Sequence, residues 1–333
     1  VKIDAVLAPV LLDQIPALAH EAEDLGFDAL WSSETQHDPF LPLALIAEHT
    51  HRLHFGSSIA VAFARSPTTL AYTAWDLAGQ SGGRFILGLG TQVRAHIMRR
   101  FGMPWPESPA SQLHEEILAM RAIWKAWSSG EPLNFRGKYY ALTLMTPFFS
   151  PAPIERPDIP IFLAGVNPAL CRVAGELADG FFVHPFHSLR YLREVVIPEL
   201  QEGMRRAGRP EGAVQVAVTA LTHTSPEEAA FVRQQIAFYA STPSYRPVLA
   251  LHGWQDVGQQ LSTLASHGRW AEMAAWVSDE MLEAFSTRAS PADLPLVLRE
   301  RYEGVAQRLA LYLPFSGGGV LDPWAQLIEV IHA

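Results

Sequence analysis

A closed (β/α)8 TIM barrel is the fold class this sequence predicts, as one domain over residues 1–333 with insertions after strands 4 and 7. Three observations predict it. Eight apolar runs of strand length lie along the 333 residues, and most are followed by a segment of helical period. Runs such as Phe85–Leu89 are apolar on both faces, as parallel strands covered on two sides require. Hydrophobic residues make up 49% of the chain, enough for a large core, and no period of 20–50 residues divides it. A doubly wound sheet with extra strands is the alternative arrangement of the same elements.

Each element follows from local chemistry. Ile3–Ala8 is the first strand. Asp13-Gln14-Ile15-Pro16 opens a helix that carries Ile15, Leu18, Ala19, Ala22 and Leu25 on one side, and Gly26 ends it. Phe27–Trp31 is the second strand, followed by a polar loop and a helix over Pro42–Thr50. Leu53–Val61 is the third, and Ser66-Pro67 caps a helix running to Ser81. Arg84–Gly90 is the fourth. An insertion over 91–159 then holds a charged loop, an amphipathic helix over Ala110–Trp127, a hairpin around Arg136-Gly137-Lys138, and a Pro-rich extended connection from Pro147 to Pro160. Pro160–Ala164 is the fifth strand, with Asn167-Pro168 capping the next helix. Gly180–His184 is the sixth, with a helix over Leu189–Ala207. Val214–Leu221 is the seventh, and Ser225-Pro226-Glu227-Glu228 starts a helix. Residues 240–304 read as helical and irregular, Val305–Leu313 as the eighth strand, and a terminal helix follows Asp322-Pro323.

Composition narrows the function classes. Net charge is −9 and no run of Lys or Arg exceeds two residues, which argues against nucleic acid or an anionic membrane as the main partner. The one cysteine, Cys171, excludes an internal disulfide framework and any multi-cysteine metal site. No apolar stretch reaches the roughly 18–20 residues of a membrane span. Val1-Lys2-Ile3-Asp4 lacks a basic-then-apolar leader pattern, and a cytoplasmic, reducing setting is expected.

In a barrel of this kind chemistry collects at the C-terminal ends of the strands. Those ends deliver Ser32–Pro39 after strand two, Ala62–Pro67 after strand three, Gly90–Arg94 after strand four, Gly165–Asn167 after strand five and His184–His187 after strand six. Gly88-Leu89-Gly90 has Val93 where a dinucleotide fingerprint needs its third glycine, so a Rossmann site is disfavoured. Ala164-Gly165-Val166-Asn167-Pro168 places a glycine at a strand end before a helix whose free N–H groups suit an anion, although a well-capped helix needs the same residues. His184 and His187 form an H-x-x-H pair without a third ligand, so no metal site is expected. Glu34 and His37 could serve acid–base work or merely brace their loop. Cys171 reads as buried packing. Trp254, Trp270, Trp276, Phe238, Tyr239 and Tyr245 could floor a pocket or pack a helical insertion.

The runs Gly26–Trp31, Glu34–Phe40, Ala64-Arg65-Ser66-Pro67, Gly82–Gly90, Ile161–Val166 and Ala178–Phe182 together resemble the bacterial luciferase-like superfamily. His37-Asp38-Pro39-Phe40, Arg100–Trp105, Leu144–Phe149, Tyr245–Leu249 and Leu251–Trp254 are similar to a subfamily of F420-dependent oxidoreductases. The resemblance implies a (β/α)8 barrel that binds the deazaflavin coenzyme F420, or FMN, in a cleft at the strand ends, with hydride passing between ring and a small organic substrate. It implies that the carboxylate of Glu34 approaches the ring, and that a non-prolyl cis peptide at Ser58–Ile59, followed by Ala60, backs it. Ala164, Gly165 and Val166 match the part that receives the cofactor phosphate, and Arg65, Arg94, Arg99 and Arg100 are candidates to meet its anionic tail. Thr91, Gln92 and His184 complete the expected cofactor-binding set, and Glu34, His37 and His184 the catalytic one. Thr35 and Val93 depart from the acid–base residues of sugar-phosphate-oxidising relatives, and Thr35 departs from the histidine of luciferase, so neither reaction is expected. The alternatives are an FMN-dependent monooxygenase and a catalytically silent flavin-binding barrel. A homodimer and a separate flavin or F420 reductase system are the partners the resemblance implies.

Overall fold

The computed structural model describes residues 1–318 and 322–332; of the domain expected over 1–333, residues 319–321 and 333 lie outside that description. Its strands are β1 (Lys2–Val6), β2 (Ala29–Ser32), β3 (His54–Ser57), β4 (Ala60–Val61), β5 (Phe85–Gly90), β6 (Phe135–Arg136), β7 (Ala141–Leu142), β8 (Ile161–Gly165), β9 (Gly180–Val183), β10 (Gln215–His223), β11 (Ser286–Arg288) and β12 (Arg308–Leu311). Parallel pairing runs β1-β2-β3-β5-β8-β9-β10-β12 and returns to β1, which closes an eight-stranded barrel and excludes the open doubly wound sheet.

The helices follow the expected order. They are α1 (Ile15–Leu25), α2 (Leu41–His49), α3 (Pro67–Gln80), α4 (Arg94–Arg99), α5 (Pro109–Ser129), α6 (Pro168–Leu177), α7 (Leu189–Tyr191), α8 (Ile197–Arg206), α9 (Pro226–Ala240), α10 (Arg246–Leu251), α11 (Gln255–Ser266), α12 (Asp279–Phe285), α13 (Leu294–Tyr302) and α14 (Asp322–His332). Several of their starts are fixed by side chains that accept an otherwise unpaired N–H. Ser66 takes that of Thr69, Asn167 that of Leu170 and Ser225 that of Glu228. Gly26 ends α1 at φ +89°, a conformation that L side chains rarely adopt.

Four details depart from the expected elements. The third strand is interrupted at the cis Ser58–Ile59 peptide, so β3 pairs with β5 at one end and β4 pairs with it at the other. The helix expected over Leu189–Ala207 contains a π turn at Leu192–Val196, because Pro198 has no N–H to return to the preceding turn. The charged loop after β5 includes α4. Within the second insertion, β11 adds a parallel strand beside the end of β10, which the irregular pattern there did not disclose.

The barrel interior is filled. Trp31, Phe162 and Phe182 interlock with Ile86, Ala29 and Ala217, and the Trp31 and Phe182 rings meet edge to face at 5.0 Å. Gly88 faces this plug. A Cβ there would lie 1.7 Å from the Ser57 carbonyl oxygen and 2.9 Å from the Phe182 ring. The Gly88-Leu89-Gly90 run is therefore a packing requirement of the barrel wall. At the start of β12, Arg308 donates to both carboxylate oxygens of Asp4 at 2.7 Å, and the Trp31 indole N–H donates to the same carboxylate at 3.0 Å. Both ionic side chains are only 2% exposed. Burial pushes the Asp4 carboxyl above its ordinary range, while the Arg308 charge and the hydrogen bonds of Arg308 and Trp31 oppose it.

Removing one partner strands the other charge in the core. Arg308→Met should cost about 3–5 kcal/mol in urea denaturation. Adding Asp4→Leu to that variant should recover part of the loss, and a double variant less stable than the single one would refute the ion-pair account.

Candidate active site

A cavity of about 1050 Å³ opens where the strands end. Its wall is built by residues two positions beyond the interior plug on the same strands: Val6 after Asp4, Ala164 after Phe162, His184 after Phe182 and Thr219 after Ala217. Side chains two apart on a strand face the same way, so one alternation fills the lower barrel and lines its mouth.

Eight of the expected binding residues lie on this wall: Ser58, Ile59, Thr91, Gln92, Ala164, Gly165, Val166 and His184. The first turn of α6 also faces it through Asn167 and Ala169, bringing the positive end of a ten-residue helix to the cavity. Gly165 lets that turn fold back tightly, since a Cβ there would meet Leu170 at 2.7 Å. The Tyr191 hydroxyl donates to the Val166 carbonyl at 2.8 Å and holds the loop. Gln92 sits at φ +57°, an uncommon conformation for a residue with a side chain, and its Oε1 accepts the Val93 N–H at 2.9 Å. Arg94 reaches the cavity at its outer edge.

Three expected contacts are not made there. The Glu34 carboxylate turns away from the cavity, where its Oε2 accepts the Val61 N–H and an Arg65 guanidinium N–H, both at 2.7 Å. Arg65 is spent in the same way, reaching Asp38 at 3.1 Å and lying over the Phe40 ring. Together they tie the loop after β2 to the segment after β4. Ala60 is buried on the outer face of β4, toward the helices. His37 is exposed and lines a separate recess of about 490 Å³ that shares Leu7, Pro9, Ser33 and Thr35 with the main cavity. Arg100 donates to the Thr35 carbonyl at 2.7 Å, and Arg99 is exposed.

Of the aromatics in the second insertion, Tyr239 and Tyr245 line the cavity; Trp254, Trp270, Trp276 and Phe238 do not, and Trp254 stacks on His252. Tyr312 and Leu311 at the end of β12, with Trp105 and Phe231, complete the wall. The strand pattern carried a signal for β12, because its C-terminal end should reach the same rim as the others.

Hydrogen bonding sets the state of both histidines. His184 Nδ1 accepts the Phe186 N–H at 3.1 Å, so in the neutral ring the proton sits on Nε2, 3.0 Å from the Tyr245 hydroxyl. His187 has the opposite tautomer: Nδ1 donates to the His184 carbonyl at 2.9 Å, and Nε2 accepts the Tyr302 hydroxyl at 3.0 Å. Desolvation lowers His184 to about 3 and His187 to about 4. Among the described residues no group of three metal-ligating side chains is present.

These shifts carry a sign. An unfolded chain protonates both rings below about pH 6.5, whereas the folded chain resists until about 4 and 3. Stability is therefore full above pH 6.5 and falls on acidification by about 1.4 kcal/mol per pH unit for each ring. Urea melts between pH 7 and 4.5 should show this loss, and His187→Gln should make the pH slope shallower by about one proton.

Comparison with known proteins agrees with this architecture. The family model described as luciferase-like monooxygenase matches residues 5–308. An uncharacterized protein of Mycobacterium tuberculosis is 46% identical over 290 residues, covering 85% of each chain. A candidate coenzyme F420-dependent oxidoreductase of the same organism is 31% identical over 286 residues, covering 80% of this chain and 81% of its own. The coenzyme F420-dependent tetrahydromethanopterin reductase from Methanopyrus kandleri superposes with a TM-score of 0.80 at 22% identity, over 100% of this chain and 99% of that one. On the extent of the family match and the level of identity, the chain belongs to the luciferase-like monooxygenase family.

Proposed function

We propose that this protein is an oxidoreductase that uses coenzyme F420 to pass a hydride to or from a small organic substrate. The observation that carries the reading is the mouth cavity itself, where the Ser58–Ile59 peptide and the Ala164–Val166 segment line one space beside the exposed start of α6. At about 1050 Å³ it has room for a tricyclic ring and a small substrate together. Small residues at Ser58, Gly90, Ala164 and Gly165 allow a flat group to lie close to the barrel end. The helix start and Arg94 supply donors for an anionic arm. The F420 dependence named for a relative at 31% identity supports the choice of deazaflavin.

When bound, F420 supplies a hydride acceptor or donor at a ring carbon. The chain's own residues hold the two flat partners at contact distance and keep water out, which is where much of the rate arises. Glu34 acts in this reading as a positioning residue: through Arg65 and the Val61 N–H it holds the loop that presents Thr35 and Gln36 to the cavity. The reading includes a cytoplasmic homodimer and a separate reductase system that recycles the cofactor. The family description favours a second reading, an FMN-dependent monooxygenase supplied with reduced flavin by a partner.

Fluorescence titration of the purified protein with F420 and with FMN separates the two. Micromolar F420 binding without FMN binding is expected, and the reverse result selects the monooxygenase. Tight binding of either without turnover on a broad substrate panel would identify a silent flavin-binding barrel. Glu34→Gln should weaken F420 binding or slow hydride transfer at least about tenfold, equivalent to ~1.4 kcal/mol. Unchanged affinity and rate would remove Glu34 from the mechanism.

A further inference from the structure

Three tyrosines line the mouth cavity, and their hydroxyl protons can be accounted for one by one. The Tyr312 hydroxyl donates to Gln235 Oε1 at 3.1 Å. Tyr239 and Tyr312 are 2.6 Å apart, and since the Tyr312 proton is committed to Gln235, Tyr239 is the donor of that pair. Neither has a proton left for a ligand. Tyr245 differs. Its hydroxyl has one partner among the described residues, His184 Nε2 at 3.0 Å. The direction of that bond is set from the far side of the imidazole ring. A backbone N–H can only donate, so the Phe186 N–H obliges Nδ1 to be the acceptor, and the neutral ring must carry its proton on Nε2. His184 therefore donates to Tyr245, and the Tyr245 proton is left unspent in a residue on the cavity wall.

We infer that Tyr245, oriented by His184, is the hydrogen-bond donor with which this cavity recognises its substrate, and that the group recognised is an uncharged acceptor, a carbonyl oxygen. The assignment of this group to a substrate rests on the oxidoreductase reading above. The surroundings select against a charged partner. Tyr245 and His184 pack at 4.3 Å, with Tyr239 and Phe186 around them. Among the described residues, neither ring is hydrogen-bonded to a charged side chain. A carboxylate placed here would be desolvated without a countercharge, whereas a ketone or aldehyde oxygen loses little hydration and gains one directed bond. Burial lifts the Tyr245 hydroxyl to about 12, so it stays protonated as a donor throughout the neutral range. A phenylalanine at 245 would leave the acceptor unpaired, the situation in which hydrogen-bonding sites discriminate most strongly.

The test uses cyclohexanone and its isostere methylenecyclohexane, which has the same shape without the acceptor oxygen. The purified protein, with and without F420, should bind the ketone at least tenfold more tightly than the alkene. Bound cyclohexanone labelled with 13C at the carbonyl should show its infrared stretch moved to lower wavenumber. Tyr245→Phe should abolish both the preference and the infrared shift in a protein that still folds, its melting temperature lowered by loss of the acceptor for the buried His184 Nε2 proton. Nitrogen-15 spectra of the wild-type imidazoles should find His184 as the Nε2–H tautomer from pH 5.5 to 8. A proton on Nδ1, equal affinity for ketone and alkene, or an infrared shift that survives in Tyr245→Phe would each overturn the inference. Failure of F420 to bind, with the ketone preference intact, would instead count against the cofactor reading alone.

Discussion

The interior of this barrel can be filled only once, and the way it is filled decides where a ligand can go. Trp31, Phe162 and Phe182 occupy the space that eight strands enclose, and the Asp4–Arg308 pair occupies the end from which those strands begin. Neighbouring strand backbone and the plug together leave no room for a side chain at Gly56 and Gly88: a Cβ at Gly56 would stand 2.0 Å from the Ile86 carbonyl oxygen and 3.0 Å from the Trp31 ring. With one end closed by packing and an ion pair, the cavity of about 1050 Å³ opens at the other. The same strands supply floor and wall because their side chains alternate with period two.

Charge is distributed to match. Near the mouth Glu34, Arg65 and Asp38 hold the connection after β2, while at the opposite end, where β3 begins, Glu23 accepts three backbone N–H groups of residues 51–53, which keeps its carboxyl below the ordinary range against the pull of desolvation. Facing the cavity are neutral donors and acceptors, His184 held uncharged by burial, and aromatic rings, with Arg94 and Glu107 as its charged residues. The wall therefore discriminates by hydrogen-bond direction more than by charge, except at the α6 start and Arg94, where an anion is favoured.

Much of this was legible from the residues in order. Strand and helix positions follow from apolar alternation, from Ser66, Asn167 and Ser225 before prolines, and from glycine at the end of α1. The rim segments after strands two to six follow from the direction of the chain, and eight proposed contacts, Ser58 and Gly165 among them, do reach one cavity. Glu34 and Arg65 were legible as a pair of positions but not as a pair of partners. Opposite charges 31 residues apart carry no sign of whether they meet each other or a ligand. Tyr312 lies inside the apolar run Val305–Leu313, whose periodicity does not mark where the strand ends and the rim begins.

The amino-acid order by itself determined the alternation of elements, and with it the barrel, since periodicity and capping are local properties carried by neighbouring residues. It also determined which loops share the mouth, because parallel strands must all end on the same side. Only the tertiary structure decided which side chains turn inward, which charges neutralise one another, and which of three tyrosines keeps its proton. Those outcomes depend on distances of about 3 Å between residues far apart along the chain, and on burial that no single segment creates alone.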